Sequence, residues 1–367
     1  MAFSFFRKSP AAQKPASGPA YRELVIREVI RETPDAIRVV FERPSEDFVY
    51  QSGQFITLIL DISGKEERRS YSLCSSPLTD EHPAIGIKKV AGGKVSGWCV
   101  DRFRPGDRVR IMDPMGQFTV AWDAGRSRHL ALIAGGSGIT PMLSLLRTML
   151  EAEPSGRVTL LYANRREESI MFRSMLDEVL RAFPERFKIM HVLDEPSGGT
   201  AALPGPISSD TIGHMYSAWG NSGWPAADSY MLCGPQPMMD AVTVLLKDCG
   251  VPEEAIRRES FTASAAAKPA QQASADVPHD VTVRYDGQEY RFTVKPGKTI
   301  LETALDEGID LPYSCRSGMC TACRGKAISG QVRLDEEDGL SKAEREEGFV
   351  LTCVGHPLTG DVVIEIG

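Results

Sequence analysis

Three cysteines fall within nine positions of the stretch PYSCRSGMCTACRGK: Cys315, Cys320 and Cys323. Thiols this close make no ordinary disulfide set, and a fourth, Cys353, follows much later in VLTCVGH. The spacing C-x4-C-x2-C with a distant fourth cysteine is that of [2Fe–2S] sites of the plant type. Zinc is the rival metal: structural zinc sites usually offer two short hooks of similar kind, and here the second hook holds one cysteine. Three ligands on one loop suit two irons that share that loop. Gly318 allows a sharp turn of positive φ. The small Ser317, Thr321 and Ala322 let backbone N–H groups approach the sulfurs, where hydrogen bonds favour added negative charge.

The chain has 367 residues, too many for one ordinary core, which implies two or three domains. With 42% hydrophobic and 25% charged residues it has the composition of a soluble globular protein. A net charge of −7 without a basic stripe excludes nucleic acid as a partner. No apolar run approaches the ~20 residues of a membrane span. The N-terminus lacks the apolar core of a secretory signal, so the expected location is the cytoplasm, where clustered cysteines mean metal or redox chemistry. Residues 1–19 read as a frayed tail, although Phe3, Phe5 and Phe6 beside Arg7 and Lys8 would also suit a membrane surface or a partner.

The clearest boundary is TASAAAKPAQQASADVP, residues 262–278, a linker composition without aromatics. The cysteine cluster lies beyond it, in residues 279–367. Residues 20–125 alternate apolar and polar positions in short runs between turn signals, which predicts an antiparallel barrel or sandwich. Residues 126–261 alternate strand-like and helix-like stretches, which predicts a doubly wound parallel sheet.

In LALIAGGSGITPMLSLL, Gly135, Gly136 and Gly138 stand between a strand and a helix. Glycines let a ligand approach the backbone, and the helix N-terminus offers N–H groups to a pyrophosphate. A tight, well-packed strand-to-helix turn would look the same. In RRSYSLCSSP, Arg69 and Tyr71 point to one face of a strand and Ser70 and Ser72 to the other. An arginine grips phosphate and a tyrosine ring stacks on a flat heterocycle; a half-exposed strand with surface charges gives the same pattern. Cys74, Cys99 and Cys249 match no ligand spacing and read as core or surface thiols.

RSYS in a β-rich domain, GGSGITP opening an α/β domain and CGPQPMM opening a late helix, in that order, resemble the ferredoxin–NADP reductase superfamily over residues 20–261. The resemblance implies a flavin held by Arg69, Ser70, Tyr71 and Ser72, with Tyr71 on the isoalloxazine and Ser72 near its N5. It implies a second phosphate turn at Gly93, Lys94, Val95 and Ser96, and a strand passing the flavin through Ile87 and Lys88. It assigns Gly135, Gly136, Ser137, Gly138 and Thr140 to the pyrophosphate of NAD(P)H. Cys233, Gly234 and Pro235 belong near the nicotinamide, Glu259 near the flavin edge and Phe261 on the ring face. Ser72, Cys233 and Glu259 are the implied catalytic residues. Asn164, Arg165 and Arg166 fall where an adenosine ribose would lie; two arginines suit the 2′-phosphate of NADPH or a solvated loop, leaving NADPH or NADH as donor. GGKVSGW is similar to relatives that bind FAD rather than FMN.

Residues 279–367 resemble a plant-type ferredoxin of β-grasp fold: a hairpin turning at Asp286-Gly287, a short helix in TILETALDEG and a closing strand DVVIEI. The module order resembles reductase components of bacterial multicomponent oxygenases, of the phenylacetyl-CoA epoxidase and 3-ketosteroid hydroxylase reductase type. It implies electron flow from NAD(P)H through FAD and the [2Fe–2S] cluster to an oxygenase component with non-haem iron. A self-sufficient NAD(P)H oxidase or diaphorase, and a metal-binding module without enzymatic activity, are the competing readings. The acidic DEEDGLSKAEREEG would steer a basic partner or simply be a solvated loop and helix.

Overall fold

The computed structural model describes residues 21–199, 201–217, 227–261, 277–337 and 339–367. The expected tail and residues 262–276 of the expected linker lie outside the described residues. The first sheet is built from β1 (Tyr21–Thr33), β2 (Ala36–Phe41), β3 (Phe55–Asp61), β4 (Glu66–Ser72), β5 (Ala84–Lys88) and β6 (Arg108–Met115). Its order is β4-β3-β6-β1-β2-β5, and every pair is antiparallel. A bridge between Leu73 and Ile85 joins the two edges into a barrel. Leu58, Ile85, Ile87 and Ile111 fill the interior, with helix α1 (Lys94–Arg102) lying over it.

The second sheet is wholly parallel. It comprises β7 (His129–Gly135), β8 (Arg157–Asn164), β9 (Phe187–Leu193), β10 (Ala202–Pro204), β11 (Ser229–Cys233) and β12 (Ile256–Glu259), in the order β10-β9-β8-β7-β11-β12. Helices α2 (Ile139–Ala152), α3 (Arg173–Ala182), α4 (Ser209–Ser217) and α5 (Gln236–Asp248) connect the strands. Two apolar clusters form, one on each face of the sheet, which is why β7 is buried along its whole length and apolar after His129. One of them continues into the barrel through Ala36, Cys74 and Ala84. Ser144 donates to the Ser75 carbonyl at 2.6 Å, and Arg147 pairs with Asp80. Gly86, inside β5, makes this contact possible: a Cβ there would lie 2.4 Å from Thr140 Cγ2.

The third sheet runs β14-β13-β19-β15-β17. Its strands are β13 (His279–Tyr285), β14 (Gln288–Val294), β15 (Arg324–Ser329), β17 (Phe349–Leu351) and β19 (Val362–Ile366); β16 (Val332–Leu334) pairs with β18 (Gly355–Pro357) beside it. The β13–β14 hairpin turns at Asp286 and Gly287, both of positive φ, as a two-residue primed turn requires. Helix α6 (Ile300–Asp306) opens with a reciprocal Thr299–Glu302 capping box, and α7 (Lys342–Glu346) repeats the device with Ser341 and Glu344. The parallel pairing of β13 with β19 places the closing strand at the centre, the β-grasp arrangement.

Candidate functional site

In the parallel sheet the strand order reverses between β7 and β11. Ligands of open α/β sheets bind at the carboxyl ends of the strands flanking such a switch point. Gly135 ends β7 and Cys233 ends β11. The two turns interlock: a Cβ on Gly138 would lie 2.0 Å from the Cys233 carbonyl oxygen, and one on Gly135 2.7 Å from Pro235 Cδ. A Cβ on Gly234 would lie 2.9 Å from the Gly135 nitrogen. Gly136, at φ +52, has nothing within 4 Å of its Cβ position and faces open space. Thr140 donates to the Ser137 carbonyl at 2.9 Å, and the Tyr162 hydroxyl holds the Gly136 carbonyl at 3.1 Å. Asn164 ends the neighbouring strand. Its amide is buried against the Tyr162 hydroxyl. Arg165 and Arg166 both pair with Glu195, at 3.1 and 2.6 Å, so the two expected phosphate ligands already share a carboxylate.

Cys233 and Glu259 are registered neighbours on β11 and β12. Ser72, at the end of β4, reaches across to donate to the Glu259 carboxylate at 3.3 Å. The three expected catalytic residues, far apart in the chain, thus meet where the barrel faces the parallel sheet. Burial pushes the Glu259 carboxyl up to about 8, against the opposing pull of the Ser72 hydroxyl. Burial also holds the Cys233 thiol far above its ordinary value, with the Glu259 charge adding to it. Phe261, just beyond β12, is 44% exposed.

On the barrel, Tyr71 packs against the interior cluster. Its hydroxyl lies beside the Cys99 thiol, and burial keeps both groups protonated, the thiol pushed up to about 12. Cys99, which no spacing singled out, is therefore the support beneath Tyr71. Arg69 and Lys94 flank Glu67, at 3.8 and 3.3 Å. Gly93 precedes α1, Val95 is buried in the first turn, and Ser96 accepts from the Val90 N–H at 3.0 Å. A Cβ on Gly93 would press to 2.9 Å from the Ser96 hydroxyl. Lys88 sits 3.7 Å from Asp35. Ile87 points wholly into the barrel core, so only its backbone can meet a ligand.

The four cluster cysteines come together. Cys323 and Cys353 are 3.2 Å apart at sulfur, and Cys315 lies against both Cys320 and Cys353. These contacts bring all four thiols together. Backbone donors are in place: Ser317 N–H to Cys315 Sγ and Cys315 N–H to Cys320 Sγ, both at 3.4 Å. Gly318 has φ +75, and Arg316 and Thr321 share the left-handed region, so the loop is tightly wound. The acidic segment closes over it, with the Gly318 Cβ position 3.0 Å from Glu336 Cβ. Much of that acidity is spent within the chain: Asp335 pairs with Arg333 and His356, Glu337 with Arg345 and Glu344 with Arg324.

This loop sits on the barrel. Ser70, between Arg69 and Tyr71, donates to the Ser314 hydroxyl at 2.7 Å, and Ser314 immediately precedes Cys315. Ser70 also meets Thr57 across the sheet at 3.2 Å. The Ser70 hydroxyl, expected to serve a flavin, is instead engaged on the cluster side.

Residues 23–120 match the oxidoreductase FAD-binding domain family, residues 132–243 the oxidoreductase NAD-binding domain family, and residues 283–358 the 2Fe-2S iron-sulfur cluster binding domain family. Over 350 residues the chain is 33% identical to a subunit of the 1,2-phenylacetyl-CoA epoxidase of Escherichia coli (strain K12), covering 94% of this chain and 97% of that one. It is 32% identical to the ferredoxin reductase component of 3-ketosteroid-9-alpha-monooxygenase of Rhodococcus rhodochrous, covering 93% and 96%. The chain belongs to the oxygenase ferredoxin-reductase family. Phthalate dioxygenase reductase shares its fold, with a TM-score of 0.58 at 24% identity over 95% of this chain and 100% of that one.

This reductase is an NAD(P)H-dependent oxidoreductase with FAD and a [2Fe–2S] cluster, passing electrons from the nucleotide through FAD and the cluster to an oxygenase. The residues fit these groups. Four convergent thiols with N–H donors suit the cluster, and the open Gly136 turn beside the buried Asn164 amide leaves space for a nucleotide. Among the described residues no helix is long and apolar enough to cross a membrane. One pH dependence follows from Glu259. Burial raises its carboxyl to about 8, so its negative charge beside Cys233 develops as pH rises through that value. A carboxylate charge at this junction opposes the negative charge a flavin gains with hydride, so the rate of flavin reduction by the nucleotide is expected to fall across that window, and Glu259→Gln to remove the alkaline limb. Stopped-flow bleaching of the flavin between about pH 6 and 9, a window spanning that ionisation, measures both.

Proposed function

We propose that this reductase draws hydride from NAD(P)H at the junction of Cys233, Ser72 and Glu259 and delivers single electrons across β4 to the cluster, for an oxygenase whose oxidising centre is non-haem iron. When bound, FAD accepts electrons as a pair and releases them singly, which joins a two-electron donor to a one-electron carrier. The observation that carries this reading is the double use of β4. Arg69 and Tyr71 lie on the face assigned to the flavin, while Ser70 between them bonds the residue next to Cys315. The two carriers thus share one strand.

In this reading Gly135, Gly136, Ser137, Gly138 and Thr140 present the N-terminal end of α2 to the nucleotide's pyrophosphate, with the Asn164 amide completing the pocket. Cys233, Gly234 and Pro235 shape the wall against the nicotinamide. Ser72 and Glu259 hold a proton at the carboxylate oxygen, next to the place where hydride moves. Tyr71 supports one flavin face from its seat on Cys99. Arg69, Lys94, Ser96 and the backbone N–H groups after Gly93 hold the phosphates. Cys315, Cys320, Cys323 and Cys353 ligate the irons.

Anaerobic rapid mixing with NADH or NADPH tests the order: flavin bleaching is expected first, and the paramagnetic signal of the reduced cluster second. A cluster signal that precedes flavin bleaching would exclude the route. Coupled turnover with the partner oxygenase is expected to resist carbon monoxide, since that ligand binds ferrous haem; inhibition would move the acceptor to the haem class.

A further inference from the structure

We propose that Arg68 is a positioning residue that locks the cluster domain onto the flavin barrel and thereby sets the rate of electron transfer between them. The proposal rests on the route from flavin to cluster given above.

Arg68 lies on β4 beside the residues that face the flavin, yet it belongs to the opposite face of the strand, as Ser70 does. It is only 5% exposed, unusual for an arginine. Its guanidinium donates to Glu66 at 2.8 Å within the barrel and to Asp310 of the cluster domain at 3.0 Å. A third contact reaches the Tyr21 hydroxyl at 3.4 Å, and that hydroxyl donates to Asp310 at 2.8 Å. The guanidinium carbon also stands 4.3 Å from the centre of the Tyr313 ring. Tyr313 is two residues before Cys315, and Arg316, directly after that cysteine, brings a second guanidinium to 4.4 Å from the same ring. One buried side chain therefore grips the cluster loop by a carboxylate and by a ring, a few residues from the first iron ligand.

The chemistry favours arginine specifically. A planar fork can satisfy carboxylates on two domains while its face rests on an aromatic ring, and a lysine cannot do all three. Glu66 is shared with Arg110, at 2.9 Å, so the barrel side of the clamp is itself braced. The Ser70–Ser314 hydrogen bond is a second, neutral contact in the same interface. Nothing in this set touches the nucleotide turns. Its function is thus separable from hydride transfer. Electron-transfer rates fall exponentially with distance, so loosening the clamp slows the cluster step alone.

The test uses the full-length holoprotein in anaerobic stopped flow with NADH, following flavin bleaching and freeze-quenched cluster signals separately. In Arg68→Met, flavin reduction should stay within about two-fold of the parent, while cluster reduction slows by at least ~10-fold, the scale of a small misplacement of reacting partners. Arg68→Lys should fall between the two. Asp310→Asn removes the clamp from the other side at a half-exposed position that tolerates the change. It should slow the same step, and the double variant should be no slower than Arg68→Met, because both changes break one contact. Flavin content and iron content should be unchanged. Cluster reduction at the parental rate in Asp310→Asn and in any folded Arg68 variant would overturn the role, as would equal slowing of both steps. A parent protein whose cluster is not reduced after its flavin would instead overturn the route itself.

Discussion

Replacing Cys323 by serine is expected to abolish the cluster's absorption and paramagnetic signals and to lower oxygenase-coupled turnover by ~100-fold or more, since even losing a supporting contact around a metal ligand costs about 10- to 100-fold. Cys323 is buried, with its sulfur 3.2 Å from that of Cys353. The surrounding backbone has its own support: the Cys323 carbonyl accepts from the Thr352 N–H at 3.1 Å and its hydroxyl at 3.2 Å. The loop therefore keeps its frame when the thiol is lost. Dyes that draw electrons directly from the flavin should be reduced within about two-fold of the parental rate, as expected for a change remote from the nucleotide turns. Iron content, visible spectra and the two assays on one preparation decide the matter. Loss of dye reduction in a folded, flavin-loaded variant would contradict a linear route.

Gly138→Ala should damage the opposite end of the chain of carriers. The added Cβ would lie 2.0 Å from the Cys233 carbonyl oxygen and 2.4 Å from its carbon, and both belong to backbone that no rotamer change can move aside. The glycine turn and the Cys233 turn must separate. Overpacking of this kind costs about 1–3 kcal/mol of stability. A displacement of the nucleotide turn should lower kcat/KM for NAD(P)H by ~100-fold. Cluster and flavin contents should persist, because the barrel and the third sheet pack around their own cores. Thermal unfolding and steady-state kinetics with dye acceptors measure both effects. A parental kcat/KM would show that the two turns do not form the nucleotide site.

Several parts of this molecule are legible in its sequence. Strand alternation in residues 20–125 and strand–helix alternation in 126–261 are local periodicities, and they predict the barrel and the parallel sheet. Asp286-Gly287 specifies its hairpin because few residue pairs accept positive φ twice. Cysteine spacing is also local for Cys315, Cys320 and Cys323, and it points to a metal loop. Other features escaped. The direction of Ile87 depends on which side of β5 becomes the barrel interior. The glycine at 86 looks like a weak point in a strand until α2 packs against it. The arginines at 165 and 166 look free for a phosphate until Glu195, some thirty residues later, is brought between them. The acidic run at 335–348 reads equally as a docking face or a solvated loop and helix, and only the fold shows Arg324, Arg333 and Arg345 pairing with Glu344, Asp335 and Glu337.

The same division holds at the site. Residue type and spacing by themselves determined that this chain would carry a metal loop, a glycine turn at a helix start and an arginine–tyrosine strand, because each is a property of a few neighbouring residues. Only the tertiary structure decided how these parts face one another. It placed Ser72 against Glu259, Cys99 under Tyr71, and the cluster loop on the far face of β4 through Arg68, Ser70, Asp310 and Tyr313. The contacts of this interface join residues as much as 289 positions apart. No local pattern encodes them, since they depend on how whole domains pack, and packing is set by the summed complementarity of surfaces rather than by any one stretch of chain.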